Sequence, residues 1–207
     1  MLRLAFVVCA VLMLATNVFA QETAASLAKQ LEDWLLSSAA VSMKFTLASE
    51  GPISVTADLK GKKIRVESPS MLIISDGTTI WNYQKHSDRV TIDNVSGANS
   101  PFRNPQTVFK FSENYTASIL SRNGLNYKLA LTPNAELSSL MQAAGEMQRL
   151  TLDVSVHGKN VAIMKATASS SRGTSQTSAL TIKPLKSIRA MDFIFTPKSS
   201  TKTLDLR

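Results

Sequence analysis

The chain has 207 residues, a formal net charge of +8, 44% hydrophobic residues and one cysteine, Cys9. That length suits one single-core domain, no internal repeat or low-complexity linker divides it, and a lone cysteine excludes an intrachain disulfide framework. The basic balance points either to anionic headgroups or acidic partners, rather than nucleic acid, or to a merely solvated basic surface.

Residues 1–20 read as a signal peptide. Arg3 is the positive flank, 4–14 the apolar run, and Val18-Phe19-Ala20 the small-residue cleavage site. A membrane span needs about twenty apolar residues, whereas this run is shorter and broken by Thr16-Asn17. Cys9 lies inside the run with no cleavage box before it, so it does not become a lipidated N-terminus. Cleavage after Ala20 leaves 21–207 as one cysteine-free domain without thiol catalysis or thiolate metal sites.

Residues 23–37 predict an amphipathic helix, with Leu27, Leu31, Trp34 and Leu35 at helical spacing. It contains Ser26-Leu27-Ala28-Lys29, the Ser-x-x-Lys pattern of penicillin-recognising enzymes. No Ser-Asp-Asn or Lys-Thr-Gly follows in the required roles, so a hydrolase built on Ser26 and Lys29 is a distant rival. From Val41 the period becomes two: Val41, Met43, Phe45 and Leu47 alternate with polar residues, Gly51-Pro52 turns the chain, and Ile53, Val55, Ala57 and Leu59 alternate again. A third strand, 62–67, carries Lys62, Lys63 and Arg65.

The stretch 70–83 is the strongest local signal. Two β-rich runs flank Asp76-Gly77, a pair suited to a tight turn because both positions tolerate positive φ. The first run, Met71-Leu72-Ile73-Ile74, is apolar throughout and predicts burial on both faces or under a cover. The second alternates Trp81 and Tyr83 against Ile80 and Asn82. Residues 90–95 continue the meander. Asn104-Pro105 then starts a segment, with Pro105 in a first helical turn after Asn104 as cap, whose apolar side is Val108, Phe109 and Phe111; on the residues alone it also fits an ordinary connection with a hydrophobic plug. Further strands are predicted at 118–120, 127–131, 150–157, 161–168, 175–182 and 191–195, with a short helix at 135–147.

Motifs for chemistry are sparse. His86 and His157 stand near turns without partners at metal-ligand spacing, and no Gly-rich phosphate loop, nucleophile elbow or paired acidic motif is present. The sequence therefore predicts a binding protein rather than an enzyme, without a cofactor. An apolar sheet face under helices either packs closed or leaves a cavity, and flexible Met43, Met71 and Met141 suit a cavity that adapts to chains.

The run Ile73-Ile74-Ser75-Asp76-Gly77 followed by Ile80-Trp81-Asn82-Tyr83 resembles the periplasmic outer-membrane lipoprotein carriers and receptors of the LolA/LolB type. Asn99-Ser100-Pro101-Phe102, Leu131-Thr132-Pro133 and Phe193-Ile194-Phe195-Thr196-Pro197 follow in that family's order, after a secretory start. Freedom from lipid sides with the soluble carrier.

The resemblance implies an α+β fold: an open, strongly curved antiparallel β half-barrel covered by a helical lid. It implies a soluble periplasmic monomer that takes acylated lipoproteins from an inner-membrane releasing transporter to an outer-membrane receptor. The pocket expected on that basis comprises Leu31 and Trp34; Val41, Met43, Phe45 and Val55; Leu72, Ile74 and Trp81; and, on the lid, Phe102, Val108 and Phe109. The carriers' Arg-Pro pair, whose arginine is implied to hold the lid, is missing, so Lys63 or Arg65 either substitutes as latch or faces solvent. Rival expectations are a carrier of another acyl lipid or glycolipid, a sensor of mislocalised lipoproteins, and a cavity-free envelope protein.

Overall fold

The computed structural model describes residues 22–47, 51–95, 105–141, 147–170 and 176–207. The expected leader 1–20 and the lid residue Phe102 lie outside the described residues.

The first helix, α1 (Ala24–Leu36), follows Thr23, whose extended backbone and hydroxyl cap it by accepting from Ser26 N at 3.1 Å. Its buried stripe is Leu27, Ala28, Leu31 and Leu35, with one carboxylate, Glu32, on the same side. Each buried leucine contributes about 1.5–3 kcal/mol relative to exposure.

Six strands follow: β1 (Ala40–Leu47), β2 (Gly51–Asp58), β3 (Lys63–Glu67), β4 (Met71–Ser75), β5 (Thr79–Gln84) and β6 (Arg89–Asn94). A 3-10 turn (Pro105–Phe109) and α2 (Phe111–Asn114) lead to β7 (Tyr115–Asn123) and β8 (Asn126–Pro133). Next come α3 (Ala135–Met141), β9 (Met147–His157), β10 (Asn160–Ser170) and β11 (Gln176–Leu185). A second 3-10 turn (Ala190–Phe193) and β12 (Lys202–Asp205) complete the order.

Among the described residues, twelve strands form one sheet, ordered β12-β6-β5-β4-β3-β2-β1-β11-β10-β9-β8-β7. Neighbours are antiparallel except β12, which runs parallel to β6. Strands β12 and β7 are its two edges, so the sheet stays open. It wraps around α1, which touches β1 near the middle, β10 beyond it and β7 at the far edge. The expected architecture, an open curved antiparallel sheet with helical cover, is the one observed.

Directly paired residues share a face. Val41, Ala57, Ile64 and Ser75 form one cross-strand row, and Met43, Val55, Val66 and Ile73 the next, both on the α1 side. Ser42, Thr56, Arg65, Ile74, Trp81 and Ile92 form a row on the outer face.

Three local expectations need correction. Gly77 takes positive φ (97°), and a Cβ there would lie 2.9 Å from Gly61 O, but Asp76 keeps negative φ. Instead its carboxylate accepts from Thr78 N and Thr79 N, both at 2.8 Å, closing the turn as an Asx motif. The expected strand at 191–195 does not form: Ala190–Phe193 is a 3-10 turn, held by Asp192 reaching back to Arg189 N and its guanidinium, with Phe193 buried beneath. A short apolar run carries no period that separates these outcomes. Finally, the helix expected at 135–147 is described over Ala135–Met141, 142–146 lie outside the described residues, and Met147 belongs to β9.

Candidate functional site: the apolar face between sheet and helical cover

The inner face of the sheet, α1 and the segment Pro105–Asn114 enclose the main core. Leu27, Leu31 and Leu35 meet Val41, Val55, Ala57, Leu129 and Leu152 from the strands. Phe109 and Phe111 close it from the cover, with Phe111 edge-on to Tyr115 at 5.6 Å between ring centroids. Tyr115 in turn donates its hydroxyl to Val108 O at 3.0 Å, and its burial pushes that hydroxyl's pKa well up.

Burial is uneven along this face. At the α1 end Val41 and Ala57 are essentially inaccessible, whereas Met43, Phe45, Ile53, Met71 and Ile80 are half-buried around the same core. Phe45 and Ile53 also border a surface cleft of about 560 Å³ flanked by Lys44 and Lys85. A second cleft, of about 590 Å³, lies outside α1. Neither is lined by Leu27, Leu31, Phe109 or Phe111, where side chains fill the interior.

Besides Tyr115 to Val108 O and Asn134 N to Asn114 O, polar bonds fasten the cover at two further points. Glu32, 3% exposed, accepts from Ser112 N at 2.9 Å and Ser112 Oγ at 2.7 Å, and pairs with Lys29 Nζ at 2.9 Å. Burial pushes the Glu32 pKa up, but the Ser112 hydroxyl, the Ser112 N–H and Lys29 together outweigh it and hold the carboxyl below its usual range. Gln106 Nε2 donates to Leu59 O, tying the 3-10 turn to the end of β2.

The expected pocket residues divide between two faces. Leu31, Val41, Val55 and Phe109 are in the enclosed core, while Met43, Phe45, Trp34 and Val108 are half-buried. Leu72, Ile74 and Trp81 do not join them, because the register puts these three on the outer face. Met71, Ile73 and Ile80 take the inward positions in their place. In a run that is apolar at every position, the residue pattern does not reveal which face is inward.

The outer face has its own cover. Arg65 pairs with Glu67 at 2.9 Å and reaches Asp192 O at 3.5 Å, and Tyr83 stacks on Phe195 with ring centroids 5.2 Å apart. Lys63 and Arg65 therefore lie across the sheet from Pro105–Asn114 and do not latch it; Arg65 anchors the C-terminal segment. Glu32, Ser112 and Gln106 do the fastening. The sequence held one clue to this: a glutamate four residues after Ala28, on the buried stripe of an otherwise regular amphipathic helix, requires a partner.

The Ser26–Lys29 pattern is not assembled as nucleophile and base. Ser26 Oγ donates to Glu22 at 2.7 Å. Lys29 is held by Asp33 at 2.8 Å and Glu32, which raise its pKa and keep it protonated. Among the described residues no group of three or more His, Cys, Asp or Glu is placed to hold a metal, and no helix is long and apolar enough to cross a membrane.

No family model matches the chain, and no curated protein matches it. Solved structures with similar backbones include an uncharacterized conserved protein from Thermus thermophilus, at 11% identity and a TM-score of 0.48, covering 86% of this chain and 95% of that one. A LolA superfamily protein from Nitrosomonas europaea aligns at 12% identity and a TM-score of 0.39, covering 84% and 98% respectively. Likenesses this distant do not say what this chain binds.

Proposed function

We propose that this protein binds acyl chains between the inner face of its sheet and the cover Pro105–Asn114, as a carrier that shields them from water. In its narrower form the cargo is a lipoprotein, carried through the periplasm from an inner-membrane releasing transporter to an outer-membrane receptor. One observation carries the reading: a separate helical cover lies over a continuous apolar face and is tied down at discrete polar points, Glu32 to Ser112 and Gln106 to Leu59 O.

The magnitudes are compatible with opening. Losing the Glu32 and Gln106 fastenings costs about 2–4 kcal/mol and exposing Phe109 and Phe111 about 3–6 kcal/mol more, so an incoming chain must bury about ten methylenes, at about 0.8 kcal/mol each, to compensate. The half-buried Met43, Phe45 and Ile53 provide an entry end, and Lys44 beside it suits an anionic headgroup, whereas Lys85 there is paired with Glu67 at 3.2 Å.

The filled interior favours a second reading, a cavity-free envelope protein whose sheet packs permanently on its helices. Native mass spectrometry after incubation with a triacylated lipopeptide and with a diacyl phospholipid separates the two. The carrier reading expects a lipopeptide adduct. A phospholipid adduct alone keeps acyl binding and removes lipoprotein carriage, and the absence of both adducts favours the packed envelope protein.

A further inference from the structure

The cleft of about 590 Å³ outside α1 is a different kind of space from the apolar core. One wall is a helical stripe at i, i+4 and i+7, made of Gln30, Trp34 and Ser37, with the Glu22 carboxylate beside it. The other is the β9–β10 turn, which presents Lys159 and Asn160. The size falls within the range of small-molecule sites.

The helical wall is pre-organised. Glu22 accepts from Ser26 Oγ at 2.7 Å and from Gln30 Nε2 at 2.9 Å, which fixes both side chains. Gln30 Oε1 is then left buried, with no hydrogen-bond partner among the described residues. Being inaccessible, that oxygen is not itself a contact for a molecule in the cleft. Across the cleft, Lys159 and Asn160 have no side-chain partner among the described residues either.

Complementarity narrows the ligand. The helical wall is rich in acceptors and calls for O–H or N–H donors. Lys159 opposite disfavours a simple cation, and the carboxylates of Glu22 and Asp33, which both line the cleft, disfavour a simple anion. Trp34, half-buried, offers an aromatic surface for a flat apolar face. A neutral ring with hydroxyls around its rim and an apolar face meets all of these conditions.

We propose that the cleft between α1 and the β9–β10 turn is a saccharide-binding site, with Trp34 as the stacking platform and Glu22, Asp33 and Asn160 as the hydrogen-bonding groups. A site on the outside of α1 leaves the acyl-binding face free, so cargo and glycan are held independently.

Isothermal titration calorimetry of the unmodified protein with maltotetraose and with an N-acetylglucosamine tetrasaccharide tests this. Saturable heat is expected with at least one, weakened about tenfold in Asn160→Ala and in Asp33→Ala, as each loses a hydrogen bond. Asn160 is exposed at the start of β10, so its variant keeps the fold. Two silent sugars overturn the proposal. So does binding that is unchanged in both variants, because the sugar then sits elsewhere.

Discussion

The two halves of the sheet are built from similar antiparallel strands yet buried differently. In β4, consecutive residues Ile73 and Ile74 are both buried, one towards α1 and the other on the outer face that the C-terminal segment crosses. In β9, Leu150, Leu152, Val154 and Val156 are buried while Thr151, Asp153 and Ser155 alternate with them, half-exposed. A continuous apolar run thus marks a strand covered twice, and strict alternation marks one covered once. Where the second cover comes from is a separate matter: here it is the segment around Phe193, more than a hundred residues further along the chain.

The largest test of this contrast is Phe193→Ala, expected to cost about 3–5 kcal/mol in a urea titration. A loss near zero would mean that the C-terminal segment merely rests on the outer face. Glu32→Gln comes next, at about 1–3 kcal/mol. Its pH dependence has a fixed sign: the native Glu32 pKa is lowered, so its stabilisation is complete above the ordinary glutamate range and lost as pH falls through the native value. Stability curves for the wild type and Glu32→Gln should therefore converge in acid; parallel curves would count against the fastening.

Arg65→Ala is smaller, about 0.5–1 kcal/mol for a partly exposed pair. Hydrogen exchange should quicken around Arg189–Phe193 and stay unchanged in Pro105–Asn114. Acceleration in the helical cover would restore Arg65 as its latch. The least effect belongs to Thr167→Val on the once-covered half, within about 0.5 kcal/mol by thermal melting.

Much of this organisation was legible in the residues. Helix α1 was marked by its apolar spacing, the start of the cover by Asn104-Pro105, and the once-covered strands by alternation. The twice-covered half was legible only as burial, because Leu72, Ile73 and Ile74 are equally apolar, so the pocket assignment placed Leu72, Ile74 and Trp81 on the wrong side. Fastening depended on contacts distant in sequence: Glu32 meets Ser112 eighty positions on, and Gln106 meets Leu59 across the β2 end. Residue spacing encodes neighbours along one element, not partners between elements.

The central claim is that the cover competes with acyl chains for the inner face. The most direct measurement is the affinity of a fluorescent fatty-acid probe for the wild type and for Ser112→Ala, alongside the stability of each. If the cover must lift for a chain to enter, weakening its fastening lowers stability and raises affinity together, because a larger fraction of molecules is competent to bind. Tighter binding by the less stable variant is the predicted result. Equal affinity, or no saturable binding by either protein, would contradict the account.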